Sequence, residues 1–506
     1  MHLSVLLDMS VDAMGDRIAV TDDEGSVTFV RLRDGVRAIA RQWSKDEAPE
    51  RVVFLGLNSR AVPYTLFASA LVGAAFTPLN YRLTDTELRR VAERAAPAIA
   101  VVDDDIAGRL AGVDGLTVVL TSQLLAMAAA APADTEFDSI PDPDAIGVLL
   151  FTSGTTGEPK AAVLRHSHLA SYVFSTLDFA GADEDEAGLV SVPPYHIAGI
   201  SAIVSSLFTG RRIAYLANFS PQGWVAAVAA QNVTHAMVVP TMLGRVLDEL
   251  DARVGRGEGG MPTLRHLSYG GGRMPVDVIE RAVAMLPTVD FVNAYGLTET
   301  SSTISVLGPD DHREALASDD PDVRRRLGSV GRPHSAIEVS VRDDEGQPVP
   351  ANVRGEIWVR GDQVSGEYAG RESRATEGWF PTNDSGMLDD AGYLYVFGRL
   401  DDVIVRGGEN ISPGEIEDVL RGCPDVADVA VFGVPSTEWG ETVAAVIVPG
   451  DPAHTPDPDE LRTFVRDQLR SSRVPEILEF RDELPYSETG KLLRRVLRTE
   501  FSDVND

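Results

Sequence analysis

One stretch constrains the fold more than any other: the short apolar run from Ile146 to Phe151, which gives way abruptly to Thr152-Ser153-Gly154-Thr155-Thr156-Gly157-Glu158-Pro159-Lys160. A run of that length bounded by turn-forming residues reads as a buried strand, and the switch to Ser, Gly and Thr ends it. Beyond the strand, two glycines allow successive backbone N–H groups to converge on one point, while four hydroxyls and an ammonium add donors. Such a loop suits phosphate oxygens. Its spacing is not that of the Walker loop, because Lys160 lies three residues after Gly157 and no hydroxyl follows it. A polar surface turn has the same composition, so the loop by itself leaves both readings open.

The segments around it set the fold class. Strand-like Ile18 to Val20 and Val27 to Val30 flank a turn, a helical stretch covers Arg31 to Trp43, Arg51 to Leu57 reads as a strand, and a second helix spans Val62 to Val72. Ala-rich Leu124 to Ala133 and the Asp/Pro segment Pro141 to Asp144 read as a connection. After Lys160, strands at Gly188 to Val192, Arg212 to Leu216, His235 to Val239, Leu264 to Tyr269 and Asp290 to Asn293 alternate with helical stretches such as Val276 to Leu286. This rhythm predicts an α/β fold with parallel strands whose carboxyl ends carry ligand-binding loops.

Three of those ends bear chemistry. Val192-Pro193-Pro194-Tyr195-His196 puts a histidine just past a strand. Ser268-Tyr269-Gly270-Gly271-Gly272-Arg273 strips side chains from three positions, as expected where a flat ring packs on backbone. Asn293-Ala294-Tyr295-Gly296-Leu297-Thr298-Glu299 offers an aromatic face, a hydroxyl and a carboxylate, a set that suits a base, a phosphate oxygen and Mg²⁺. Taken singly, each has a plain structural explanation, such as a core histidine or a flexible turn. Together, beside a phosphate-type loop, they point to a nucleotide.

Charge narrows the partners. With 77 acidic against 45 basic residues the chain carries −32, which repels nucleic acid and anionic membrane, so an anionic ligand must be held by a local concentration of donors. Only three lysines occur, Lys45, Lys160 and Lys491. Where arginine has replaced lysine almost everywhere, the survivors beside glycine and threonine mark places that need a compact charge on a flexible stem. The single cysteine, Cys423, excludes an internal disulfide, fits a reducing compartment and reads as structural. The N-terminus has no basic region before its first acid, and no apolar run approaches bilayer length, so the expectation is a cytoplasmic protein with no integral membrane segment. A homodimer is compatible with this composition. His166-Ser167-His168 has metal-binding residue types but no further ligands in view.

From about Gly328 the texture turns β-rich, with strands at Ala336 to Val341, Gly355 to Val359 and Tyr393 to Val396, and with Asp384 and Arg399 standing out as charges. Beyond Arg399-Leu400-Asp401-Asp402 a further segment has its own strands, Val429 to Phe432 and Thr442 to Val448, and a helical run from Asp459 to Leu469. That is enough for a small domain. It closes with Glu488-Thr489-Gly490-Lys491.

The set of motifs resembles the adenylate-forming superfamily, which holds acyl-CoA synthetases, adenylation domains of peptide synthetases and luciferases. The residues that carry the likeness are Thr152 to Lys160, Tyr295-Gly296-Leu297-Thr298-Glu299, Gly398-Arg399-Leu400-Asp401-Asp402, Gly407-Gly408-Glu409-Asn410 and Thr489-Gly490-Lys491, in the family's order along nearly the whole chain. The resemblance implies a large N-terminal domain of α/β sheets plus a β-rich subdomain, residues 1–398, and a small mobile α+β C-terminal domain, residues 399–506. It implies that Thr152 to Lys160 hold the β- and γ-phosphates, with Thr155 and Glu299 near Mg²⁺. Gly270, Gly271 and Gly272 with Asn293, Ala294, Tyr295 and Gly296 would hold adenine, Thr298 the α-phosphate, and Asp384, beside Arg399, the ribose. Asp401 would be the hinge. Lys491 would reach the carboxylate and α-phosphate in the first half-reaction, and the loop with Arg406, Gly407 and Gly408 would replace it for the second.

The implied chemistry needs no catalytic triad. A carboxylate becomes an acyl-adenylate by in-line attack on the α-phosphate, and the CoA thiol then attacks the activated carbonyl, with the protein supplying position and charge. His196, Val239 and Thr300 are expected to border the acid, and their small or apolar neighbours favour a fatty or aryl acid over a charged one. ATP, Mg²⁺ and coenzyme A are the expected ligands beside the acid. The rival readings are a ligase that loads a separate carrier protein and a nucleotide-binding regulator without catalysis. Three residues depart from the family pattern: Ala161 and Asn383 stand where glycine is usual, and Arg273 where proline or a small residue is common.

Overall fold

Two mainly parallel sheets, each covered by helices, form the larger of two compact units in this computed structural model. The structure describes residues 1–45, 48–138, 142–152, 160–256, 260–371, 373, 375–407, 409–436, 439–487 and 492–503. One unit comprises Met1–Glu338 and Val359–Phe380, the other Val339–Trp358 and Pro381–Asp506.

In the first unit a six-stranded sheet runs in the spatial order Leu116–Leu120, Ala98–Val102, Arg51–Leu55, Ala75–Pro78, Ile146–Thr152, Lys160–Arg165. Its strands are parallel except the last, which returns antiparallel on Ile146–Thr152 with Thr152 opposite Lys160. The two ends of the phosphate-type loop are therefore held side by side.

The second sheet has nine strands in the order Arg332–Pro333, Ser302–Leu307, Asp290–Leu297, His266–Gly270, His235–Val238, Ala187–Val190, Arg212–Tyr215, Ile18–Asp22, Gly25–Thr28. The strands from Asp290–Leu297 to Ile18–Asp22 are parallel, as the alternation predicts. Helices Leu3–Met14, Phe29–Trp43, Ala61–Leu71 and Ile197–Thr209 bury Phe29, Phe67 and Phe208 in one core. Helices Pro221–Ala230, Pro240–Gly255 and Val276–Met285 close a second around Trp224, Tyr269 and Phe291. Full burial of each such side chain stabilises by about 2 kcal/mol.

Several elements differ from the sequence expectation, among them Val27 to Val30, where the strand ends at Thr28 and the helix Phe29–Trp43 begins. Leu124 to Ala133 is not a plain connection, because Thr121–Ala129 is a helix that buries Leu124 and Ala128. Its alanines permit a close approach to the helix Phe29–Trp43, where a Cβ on Gly35 would stand 3.0 Å from the Ala128 methyl. The strand Asp290–Leu297 runs four residues past its expected end, since the antiparallel partner Ser302–Leu307 supplies a hydrogen-bonding ladder that its own sequence does not announce. Phe380–Leu388 is a nine-residue strand hidden by Pro381, Asn383 and Gly386.

The second unit carries a four-stranded sheet in the order Glu338–Arg342, Gly355–Arg360, Phe380–Leu388, Leu394–Arg399. It also has a five-stranded sheet built on the long pair Val426–Ser436 and Gly440–Pro449, with Ile404–Arg406, Glu409–Ile411 and Ile477–Phe480 beside them. Helices Pro413–Arg421, Pro458–Gln468 and Arg494–Asp503 accompany that sheet. Cys423, a free thiol, packs half-buried against its apolar core.

Candidate active site

Within the first unit, the loops that the sequence marks out converge on the carboxyl edge of the nine-stranded sheet. His196 follows the strand Ala187–Val190, Val239 follows His235–Val238, Gly271 follows His266–Gly270 and Thr298 follows Asp290–Leu297. That edge is where parallel α/β sheets bind ligands.

The glycine-rich turn is shaped by a close backbone approach. Gly270 pairs with Ala294 on the neighbouring strand, and a Cβ on Gly270 would run into the Ala294 carbonyl oxygen. Gly271 turns the chain away with φ of +79°, and a Cβ there would touch the Val239 side chain at 3.5 Å. Gly271 and Gly272 are exposed, so the turn presents bare backbone beside a strand on which Asn293, Ala294, Tyr295 and Gly296 lie in sequence. Asn293 itself is buried and donates to the Ser329 carbonyl at 3.1 Å.

The turn Thr298–Thr300 then places a carboxylate. Glu299 is 9% exposed, and the Tyr368 hydroxyl donates to its Oε1. The Thr300 hydroxyl accepts from Leu297 N at 2.9 Å and lies 2.8 Å from the Ser302 carbonyl it bonds, with no exposed surface. Thr300 thus braces the turn from inside, whereas the sequence reading places it against the acid. Ser301 and Ser302 take φ of 57° and 129°, so the chain is sharply bent directly after Glu299.

Tyr368 is the residue that sequence reasoning missed. It lies in Ser365-Gly366-Glu367-Tyr368-Ala369-Gly370, a stretch with neither helical nor strand periodicity, where the only cue is an aromatic set between glycines. Tyr368 bridges antiparallel to Ala162, and the Lys160 Nζ lies 5.8 Å from its ring centre. Lys160 itself begins the strand Lys160–Arg165 and is half-buried. Ser153, Gly154, Thr155, Thr156 and Gly157 lie outside the described residues, and for Thr152 only the backbone is described.

On the acid side, His196 is buried enough that desolvation lowers its pKa to about 4, leaving a neutral imidazole at pH 7. Its ring packs 4.6 Å from Tyr195, which meets Tyr81 edge-on at 5.5 Å. Val239 is buried at the start of helix Pro240–Gly255. These side chains are aromatic or aliphatic, and the imidazole is neutral.

In the second unit Asp384 and Arg399 face each other across an antiparallel pair, with Arg399 Nη1 donating to Asp384 Oδ1 at 3.1 Å and to the Thr382 carbonyl at 3.2 Å. Asn383 takes φ of 63°. This left-handed conformation accounts for the departure noted above: glycine is the usual residue, and asparagine is among the few others that adopt it readily. Asp401 is exposed in the turn Leu400–Asp402. Arg406 pairs with Glu476, donates to the Ser472 carbonyl at 3.0 Å and lies over Trp439 at 5.6 Å. Gly407 at φ of 57° donates its N–H to the Trp439 carbonyl at 2.8 Å. Gly408 and Lys491 lie outside the described residues.

A magnesium site can be tested against these residues. Among the described residues no group of three or more His, Cys, Asp and Glu could hold a metal, and His166, fully buried with a pKa lowered to about 3 by desolvation, packs tilted against His2 at 3.7 Å between ring centres. One buried carboxylate beside hydroxyl-rich backbone is nevertheless the donor set of a Mg²⁺ that arrives on phosphates, because that ion keeps waters and takes one or two carboxylates. Among the described residues no donor occupies Glu299 Oε2. The residues fit.

A parallel sheet edge that carries a glycine ledge, a buried carboxylate turn and a neutral histidine beside two tyrosines has the parts of a nucleotide-dependent enzyme that activates a small acid. Residues 7–369 match the AMP-binding enzyme family and residues 415–491 its C-terminal domain, and the chain belongs to that family. It is 33% identical over 492 residues to a feruloyl-CoA synthase of Amycolatopsis sp, covering 96% of this chain and 94% of that one. It is 32% identical over 469 residues to the fatty acid–[acyl-carrier-protein] ligase ScoC of Streptomyces coeruleorubidus, covering 89% and 87%. The o-succinylbenzoate CoA synthetase MenE of Bacillus subtilis, solved with its acyl-adenylate intermediate, superposes with a TM-score of 0.83 at 28% identity and 97% coverage of both chains. No helix among the described residues is long and apolar enough to cross a membrane.

Proposed function

We propose that the protein couples an aryl carboxylic acid to coenzyme A, consuming ATP and passing through an acyl-adenylate. The observation that carries this reading is the convergence, at one sheet edge, of the Gly270–Gly272 ledge, the Glu299 turn and the neutral His196 with its neighbouring tyrosines. The ledge receives the adenine ring, Thr298 approaches the α-phosphate, and Asp384 accepts from the ribose hydroxyls while Arg399 fixes its carboxylate. Thr152 to Lys160 hold the leaving pyrophosphate. Mg²⁺, when bound at Glu299 and Thr155, supplies charge neutralisation on the phosphates. Lys491 assists adenylation, and Arg406, Gly407 and Gly408 serve the thiol step. The domain boundary that fits these roles is 398/399, with Asp401 as hinge.

Aryl acids are favoured over fatty acids because His196, Tyr195 and Tyr81 form a run of tilted and edge-on ring contacts, and because feruloyl- and succinylbenzoyl-activating enzymes are similar to this chain. A reducing cytoplasmic setting suits the free Cys423. The test is a panel of aryl and straight-chain acids with ATP, Mg²⁺ and CoA, scored by kcat/KM. Aryl acids should lead by at least about 10-fold, the scale on which one well-shaped apolar pocket discriminates. AMP release that ignores CoA but acylates an added carrier protein would shift the assignment to carrier loading. Absence of acid-dependent pyrophosphate exchange with every acid would leave only the regulator. Light scattering reads whether the protein is a homodimer.

A further inference from the structure

We propose that Tyr368 is a positioning residue, which sets the orientation of the Glu299 carboxylate and through it the affinity of the site for a divalent cation; this rests on the ATP-dependent reading above. Glu299 sits on a turn of three residues whose local brace, the Thr300 hydroxyl, holds backbone and not the carboxylate, and two serines at positive φ follow it. What fixes the carboxylate comes from a distant segment. Gln363 Nε2 donates to the carbonyls of Thr300 and Thr303, both at 2.9 Å, and is 1% exposed. Ser365 N–H donates to the Glu299 carbonyl at 2.8 Å, and its hydroxyl donates to the Val163 carbonyl. The Tyr368 hydroxyl completes the set on Glu299 Oε1.

The same segment is stitched to the strand that begins with Lys160. Val163 N donates to the Glu367 carbonyl at 3.0 Å, Ala369 N to the Ala161 carbonyl at 2.9 Å, and Arg165 pairs with Glu367 at 2.7 Å. Residues 363–369 therefore lock the carboxylate turn of one sheet to the lysine strand of the other. Tyr368 alone in this strap reaches a carboxylate oxygen. A single phenol hydrogen bond leaves the second oxygen for a cation and stops the side chain from rotating, the part an outer partner plays for a metal ligand. Because the ring also lies against Lys160, the phenol fixes the distance between the anion's two expected counter-charges.

The test reads metal binding directly, in the full-length protein. Mn²⁺ is titrated by electron paramagnetic resonance in the presence of an ATP analogue with a methylene between the α- and β-phosphorus, and metal-free AMP affinity is measured alongside. Tyr368→Phe should raise the Mn²⁺ dissociation constant by about 10-fold and leave AMP affinity within twofold. Glu299→Asp keeps the charge but withdraws it from the phenol, and should lose Mn²⁺ affinity to a similar degree. In a Glu299→Gln background Tyr368→Phe should have no further effect. Unchanged Mn²⁺ affinity in folded Tyr368→Phe, or wild-type affinity in Glu299→Asp should the tyrosine variant not fold, overturns the proposal. Independent, additive losses in the double variant overturn it too. If the unsubstituted protein binds AMP but no Mn²⁺, the role of Tyr368 fails while the nucleotide reading stands; if it binds neither, both fail.

Discussion

Asn383 shows how much one dihedral angle can decide. It precedes the carboxylate expected to meet ribose, and its φ of 63° aims Asp384 toward Arg399 while its own N–H is held by Glu356 Oε1 at 3.0 Å. Asn383→Ala should destabilise by about 1 kcal/mol, the cost of an ordinary side chain in the left-handed region, whereas Asn383→Gly should be neutral within a few tenths of that. Thermal unfolding of the two variants checks this, and a neutral alanine variant would contradict it. The sequence flags Asn383 only as unlike its relatives, since a single residue's dihedral is not written in composition or periodicity. Gly270 was more legible, because consecutive glycines announce a bare ledge; its collision with the Ala294 carbonyl required the neighbouring strand. Lys491 lies outside the described residues, and its proposed role rests on the chemistry of a compact ammonium. Lys491→Ala should slow adenylate formation by roughly 10²-fold, measured by pyrophosphate exchange, and largely spare thioester formation from supplied adenylate. Equal losses in both steps would contradict a role confined to the first.

Among the elements, the last helix, Arg494–Asp503, has work beyond capping the chain. Arg494 donates from Nη2 to Glu417 Oε1 at 2.6 Å and from Nε to the Val431 carbonyl at 3.0 Å, and Arg498 donates to the carbonyls of Asp401 and Asp402 at 3.2 and 3.1 Å. The helix thus binds the turn proposed as the hinge to the sheet beneath it, three residues after Lys491. Glu417 is almost fully buried, so Arg494→Ala leaves a carboxylate short of its closest partner and should cost about 3 kcal/mol. Arg498→Ala, losing bonds to two carbonyls and a 4.0 Å ion pair with Asp402 at a half-exposed site, should cost about 1 kcal/mol. Unfolding of the two variants followed by circular dichroism ranks them, and equal costs would count against the buried pair as the main anchor. The sequence reading placed the α/β rhythm and most strands correctly because those runs are apolar along their own length. It passed over Phe380–Leu388, with its proline, asparagine and glycine, and it cut Asp290–Leu297 short. Both elements depend on hydrogen bonds from a partner strand, which a local pattern does not contain. For the same reason the strap at residues 363–369 was invisible: its contacts reach back some 60 to 200 positions in sequence.

The whole molecule should respond to acid through its buried imidazoles. Burial lowers the pKa of His2 to about 4 and those of His166 and His235 to about 3, all from an unfolded value of 6.5. These rings are neutral when folded, so below pH 6.5 the unfolded chain binds protons that the folded one does not. Stability contributed by keeping them neutral is complete above pH 6.5 and is lost as pH falls from there toward about 3, with a slope approaching about 1.4 kcal/mol per pH unit for each histidine. The acidic surface pulls the other way, because protonation relieves the mutual repulsion of a chain carrying −32. A total pH profile therefore mixes the two effects, and a difference between variants separates them. His166 is suited to this: it is fully buried, and among the described residues neither ring nitrogen has a hydrogen-bond partner. His166→Leu keeps the volume apolar and removes one titrating group while leaving the surface charge untouched. Its unfolding free energy relative to the unsubstituted protein should be nearly constant from pH 8 to 7 and should then rise steadily between pH 6.5 and 4.5, so that the variant becomes the more stable of the two in acid. Urea denaturation at pH 7.5, 6.0 and 5.0 measures that difference. A gap that stays constant across the three would show that His166 is already protonated, or equally accommodated, in the folded core.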